Sequence, residues 1–265
     1  MSTFALIRNP VIAFVDNELD FRYMTEVRSR LPPDRTLIFK VPQSEMWSFR
    51  LVPRIAAVVN QSKYPTHLPN PVDPRYSAAM HAKYEVMLRA LSDNPFQTRY
   101  FCWLDVGLFR DLSDGIDIRE PNSTRGKTFS LELPPGFRKD SIAFNEVFRR
   151  DPNYSLRELV YAGYVWVCGC FFVGEVEVTG RWIAEYMYGV EQMLKLGQMS
   201  TDQQVIYFIF NFLNPRTKIQ TYRGDGRYND WFHLAYVSRE EGMRRALAYN
   251  CSESVYPCRA PKVRS

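Results

Sequence analysis

From Tyr164 to Phe172 the chain reads YVWVCGCFF, an apolar run without a charge. A run of this kind is read as a strand buried on both faces, the central strand of a sheet that other layers must cover. The opening residues are consistent with such a sheet. VIAFV (Val11 to Val15) ends in Asp16, a helical pattern follows from Asp20 to Leu31, and TLIFK (Thr36 to Lys40) reads as a second strand. Strand, helix and strand in this order indicate the α/β class.

A turn-rich stretch from Asn70 to Pro74 gives way to a helix in which Met80, Tyr84, Met87, Leu88 and Leu91 recur at helical spacing; Asn94-Pro95 ends it. YFCWL at Tyr100 is the next strand. The polar, Pro/Gly-rich region from Leu112 to Lys139 reads as loops with one short strand at Thr128 to Leu131. Helices are expected over Val178 to Leu196 and Thr201 to Phe212, the second capped by Ser200 or Thr201 with Asp202 in its first turn. Lys218 to Tyr222 reads as a strand, and the tail is irregular from about residue 250. No repeat or low-complexity linker divides the 265 residues, so a single domain over 1–265 is expected.

The net charge of +5 comes from 34 basic and 29 acidic residues with no basic stripe interleaved with aromatics, so a nucleic-acid partner is not expected. The longest apolar run, Tyr161 to Gly174, is short of the roughly 20 residues of a membrane span. MSTFALIRNP does not read as a signal peptide, and the sequence as written points to the cytoplasm. Four N-x-[S/T] triplets, at Asn60, Asn122, Asn153 and Asn250, point instead to the secretory pathway, the ER or Golgi lumen, if the N-terminus is truncated. Among five cysteines, Cys251 and Cys258 suit a terminal bridge; Cys102, Cys168 and Cys170 lie in apolar segments and read as core thiols.

Four features can carry chemistry. Asp105 closes the apolar strand YFCWL, where open α/β sheets gather their ligands; it suits a divalent cation or a sugar hydroxyl, or else caps a turn, while Gly107 allows close approach. Lys83 falls inside the apolar stripe of its helix, where it either snorkels or meets an anion such as phosphate. Asp202 and Gln203 open the helix of TDQQVIYFIF, suiting the helix dipole or sugar hydroxyls. His233, in YNDWFH, is a ligand or a hydrogen-bonded core residue.

In order, HAKYEVMLRAL, NPF, YFCWLDVG, VCGCFFVG and STDQQV resemble the HtrL/YibB family, which has a glycosyltransferase-like fold. The resemblance covers roughly Pro10 to His233. More distantly, the same order is similar to GT-A glycosyltransferases of the glycogenin type. It implies a GT-A-like (Rossmann-like), mixed but mostly parallel sheet flanked by helices. That family pattern opens with a further strand and helix before VIAFVD, so the sheet is expected to lack its first strand.

The implied activity is transfer of a sugar from a nucleotide-sugar donor to a glycan or protein acceptor, with Mn²⁺ or Mg²⁺ neutralising the diphosphate. The resemblance gives Lys83 the donor's phosphates or sugar, places Gly169 and Gly174 around that sugar, and sets Asp202 and Gln203 at its hydroxyls as catalytic residues. Asp105 and His233 become the metal ligands. Position 107 is Gly where the glycogenin-type motif has a second Asp, which removes one ligand. The alternative function is a non-catalytic protein that keeps the fold and binds a carbohydrate or protein partner. A phosphoryl- or nucleotidyl-transferring or hydrolytic enzyme using Asp105 with Asp16 is a third.

Overall fold

A computed structural model describes residues 2–65, 73–109, 128–224 and 230–239. The expected Cys251–Cys258 bridge, the tail from about 250 and the sequons at Asn122 and Asn250 lie outside the described residues; Asn60 and Asn153 are both exposed.

Two sheets are formed. Strands β1 (Val11–Val15) and β2 (Thr36–Lys40) pair in parallel, joined by helix α1 (Glu18–Arg28). Asn17 caps α1 by accepting from the Asp20 N–H. The second sheet has the order β3 (Tyr100–Leu104), β5 (Val167–Glu175), β4 (Ser141–Glu146), β6 (Lys218–Tyr222). β5 runs antiparallel to both its neighbours, and β4 pairs with β6 in parallel.

The fold is therefore mixed α/β with flanking helices, but parallel and antiparallel pairings balance where a mostly parallel sheet was expected. The cause is YVWVCGCFF itself. It supplies the central strand, and that strand opposes both partners. Thr128 to Leu131 forms only isolated bridges, Phe129 to Ile7 and Leu131 to Arg239.

Helices α2 (Trp47–Arg50) and α3 (Val52–Val59) precede the long α4 (Pro74–Asp93), and α5 (Leu156–Tyr161) connects β4 to β5. After β5 come α6 (Val176–Lys195) and α7 (Asp202–Phe208), which passes into a π-helical turn, Ile209–Leu213. The short α8 (His233–Val237) follows β6. α4 is held at both ends by local chemistry: Asp73 caps its start ahead of Pro74, and Asn94, left-handed at φ 33°, ends it.

Each face of the four-stranded sheet carries its own core. Ile142 and Phe144 of β4 and Phe172 of β5 pack with Tyr84, Met87, Trp182, Tyr186 and Val205 from α4, α6 and α7. Ala143 of β4 and Cys168, Cys170, Phe171 and Val173 of β5 pack with Leu6, Ile7, Phe109, Phe129 and Leu234. Strict alternation along β5 fails once: Cys170 and Phe171 both belong to the second core. At that point the register slips, with Phe144 opposite Phe172 but Asn145 opposite Cys168, so Gly169 to Phe171 bulge away from β4.

Cys168 and Cys170 flank Gly169 on this bulge and form a disulfide, in place of the two core thiols expected, because residues two apart share a strand face. Cys102, also expected in the core, is exposed on β3. No helix among the described residues is long and apolar enough to cross a membrane.

Candidate functional site

Four of the residues marked in the sequence meet at the end of β3. Lys83, from the middle of α4, sends its ammonium to Asp202 Oδ2 at 3.1 Å, to Asp105 Oδ1 at 3.2 Å and to the Gly169 carbonyl at 3.2 Å. An ammonium has three N–H donors, and here each has an acceptor. Lys83 is only 6% exposed, so it neither snorkels to water nor keeps a free proton for a phosphate.

Asp105 lies just past β3, its N–H held by the Cys170 carbonyl at 2.9 Å and its own carbonyl accepting from Leu108 N–H at 3.0 Å. Its side chain keeps 35% exposure, against 3% for Asp202, so Asp105 is the member of the cluster that reaches solvent. The Trp103 indole donates to Asp105 Oδ1 at 2.6 Å. Burial raises the Asp105 carboxyl above the usual carboxylate range, although Lys83 and the Trp103 N–H both pull it down. For Lys83 burial favours the neutral amine, but Asp202 and then Asp105 outweigh it and the net shift is upward. One ammonium therefore faces two carboxyl groups.

Asp202 is set by the segment before it. The Ser77 hydroxyl of α4 donates to the Ser200 carbonyl at 2.6 Å, and His81 lies between Ser77, Met199 Sδ and the Tyr186 hydroxyl, the last at 2.8 Å. His81 is fully buried; burial, reinforced by Lys83, holds it down to about 3, so it is neutral. Gln204 Oε1 reaches back to the Thr201 N–H and hydroxyl and closes the helix start.

Gly169 makes the cluster sterically feasible. A Cβ on it would stand 1.9 Å from Asp202 Oδ2, so the carboxylate occupies the space that a side chain would need. Gly174 belongs elsewhere: it pairs with Phe101, and its missing Cβ leaves room for Thr179 Oγ1 of α6. Gly107 follows Asp105 in an exposed turn, and Gln203 is half-buried beside Asp202. Asp202, expected at the sugar's hydroxyls, is buried and paired with Lys83.

His233 is half-buried at the start of α8, where the Asn145 side chain accepts from the next N–H, that of Leu234, at 2.8 Å. Among the described residues no group of three or more His, Cys, Asp or Glu side chains stands together as a metal site. A cavity of about 410 Å³ lies between β1, β2 and the far end of α4, lined by Phe14, Phe39, Val41, Leu88, Arg89, Ser92 and Asp93, and includes none of the cluster.

Sequence reasoning did not single out Trp103, His81 or Ser77. Trp103 had a usable signal, since residues two apart on a strand share a face and an indole N–H beside a carboxylate is a hydrogen bond in waiting. The other two act through residues more than a hundred positions away, and nothing local announces them. No protein-family model, curated protein or solved structure matches the chain.

Proposed function

We propose that the protein is a glycosyltransferase of GT-A-like fold, moving a sugar from a nucleotide-sugar donor to a glycan or protein acceptor. The observation that carries this reading is the convergence of Lys83, Asp105, Gly169 and Asp202 on one charged cluster beside the end of β3, with one carboxylate open to solvent. Carboxyl ends of strands are where such sheets bind ligands. In this reading Asp105 is the group that meets the donor, Gln203 contributes hydroxyl contacts, and Lys83 and Asp202 hold Asp105 in place.

A Mg²⁺ or Mn²⁺ fits Asp105 as a single protein carboxylate completed by the donor's phosphates, a mode Mg²⁺ favours, with His233 as the second ligand the reading assigns. Such an ion would neutralise the diphosphate leaving group. Two carboxyl groups beside a single ammonium suit a cation better than they suit a bare phosphate.

One observation favours the non-catalytic alternative: every Lys83 proton is satisfied inside the cluster and Asp202 is shut away, so the network is complete without a ligand. Calorimetric titration with uridine and guanosine diphosphate-sugars, with and without Mn²⁺, separates the two. Donor binding that falls at least tenfold in folded Asp105→Asn supports the transferase. Binding of carbohydrate but of no nucleotide-sugar supports the alternative.

A further inference from the structure

We infer that Trp103 is a positioning residue of the site, its indole N–H fixing which way the Asp105 carboxylate faces. The role of Asp105 toward a donor rests on the transferase reading above; the role of Trp103 toward Asp105 does not.

Trp103 and Asp105 lie two apart along an extended segment, which turns both side chains to the same face of the sheet. The ring of Trp103 packs against the first core, so its N–H is aimed by a rigid body rather than by a floppy chain. At 2.6 Å the bond to Asp105 Oδ1 is short, as expected for a donor facing an ionised oxygen. An indole is a donor only, so it cannot rotate to offer a lone pair and favours a single orientation of its partner.

The alternative holder is Lys83, which approaches Oδ1 at 3.2 Å and Oδ2 at 3.3 Å. The ammonium lies close to both oxygens and its hydrogen bond goes to Oδ2, so it holds that end of the carboxylate and leaves Oδ1 to another donor. Trp103 adds a directional bond: it donates to Oδ1 while the ammonium donates to Oδ2, so the two donors hold the two ends of the carboxylate. The charged groups facing Asp105 are Lys83 of α4 and Asp202 at the start of α7, and neither has the directionality of the indole.

The test replaces Trp103 by Phe and, separately, by site-specific 3-benzothienylalanine, which keeps the ring shape and loses the N–H. Three-bond couplings of isotopically labelled protein report the Asp105 χ1 rotamer, and donor titration reports affinity. We expect one rotamer in the wild type and averaging between rotamers in both variants. Donor affinity is expected to drop about tenfold in the benzothienylalanine variant, with its thermal stability within a few degrees of wild type. A single unchanged Asp105 rotamer in the benzothienylalanine variant overturns the inference. Rotamer averaging in a protein that binds no donor upholds the inference and counts against the transferase reading alone.

Discussion

Among the described residues the cationic side chains of Arg28, Lys83 and Arg239 are buried, and the first two are satisfied in opposite ways. Arg28, at the end of α1 and 3% exposed, gives its five N–H donors to neutral oxygens: the carbonyls of Phe4, Ile7, Asn9 and Arg35 and the hydroxyl of Thr36. Burial pulls its guanidinium down to about 10. Lys83 has three donors, and two of its three acceptors belong to carboxylates. A cation that serves only as a staple is met by carbonyls, as Arg28 ties the N-terminal segment and β2 to α1. Two carboxyl groups around one ammonium exceed what stapling needs, and Asp105 is the one of them that is open to water.

The strongest way to break this contrast is to remove the Lys83 ammonium. Lys83→Met leaves two carboxylates facing each other without a cation, and urea unfolding should show a loss of about 3–5 kcal/mol, most of it recovered in Lys83→Met/Asp202→Leu. An unchanged midpoint for Lys83→Met would mean that the cluster is not the charged unit described. Arg28→Met should cost about 3 kcal/mol by orphaning several oxygens, and donor affinity should stay as in the wild type. Loss of binding there would erase the difference between staple and site.

Acid sharpens the contrast, because His81 lies beside Lys83. Its folded value of about 3 is below its unfolded 6.5, so its contribution is complete above pH 6.5 and disappears as pH falls toward 3. At pH 4.5 the loss is about 3 kcal/mol, and the same slope should be missing from His81→Gln when unfolding is followed across that window.

Smaller effects come from the glycines. Gly169→Ala must displace Asp202 or the bulge and should cost about 2 kcal/mol in thermal unfolding. Gly180→Ala, inside α6 with nothing within 4 Å of the new Cβ, should instead stabilise by about 0.5–1 kcal/mol.

Much of this frame was legible in the chain. TLIFK and KIQTY coincide with β2 and β6, because β-branched and aromatic residues between polar breaks leave little choice. β4 escaped notice because SIAFNE contains Ser141 and Asn145, both fully buried; Asn145 is satisfied by holding the Leu234 N–H, a partner 89 residues away. The helical stretch from Trp47 escaped for a similar reason: its first N–H groups, those of Trp47 and Ser48, are accepted by Glu85 of α4, not by a local cap.

At the site, Lys83, Asp105 and Asp202 each stood out as a charge in apolar surroundings. That they neutralise one another could not be read, because each is more than twenty positions from the next. Gly169 was noticed as a glycine in a buried strand, but its purpose depends on where Asp202 lies.

In the proposed transferase Asp105 is the ligand-facing carboxylate and the rest of the cluster serves it. The most direct test of that role is side-by-side calorimetric titration of nucleotide-sugars into wild type, Asp105→Asn and Arg28→Met, each first shown to be folded. Donor binding is expected in wild type and Arg28→Met, and at least tenfold weaker binding in Asp105→Asn. Equal affinity in wild type and Asp105→Asn would contradict that role.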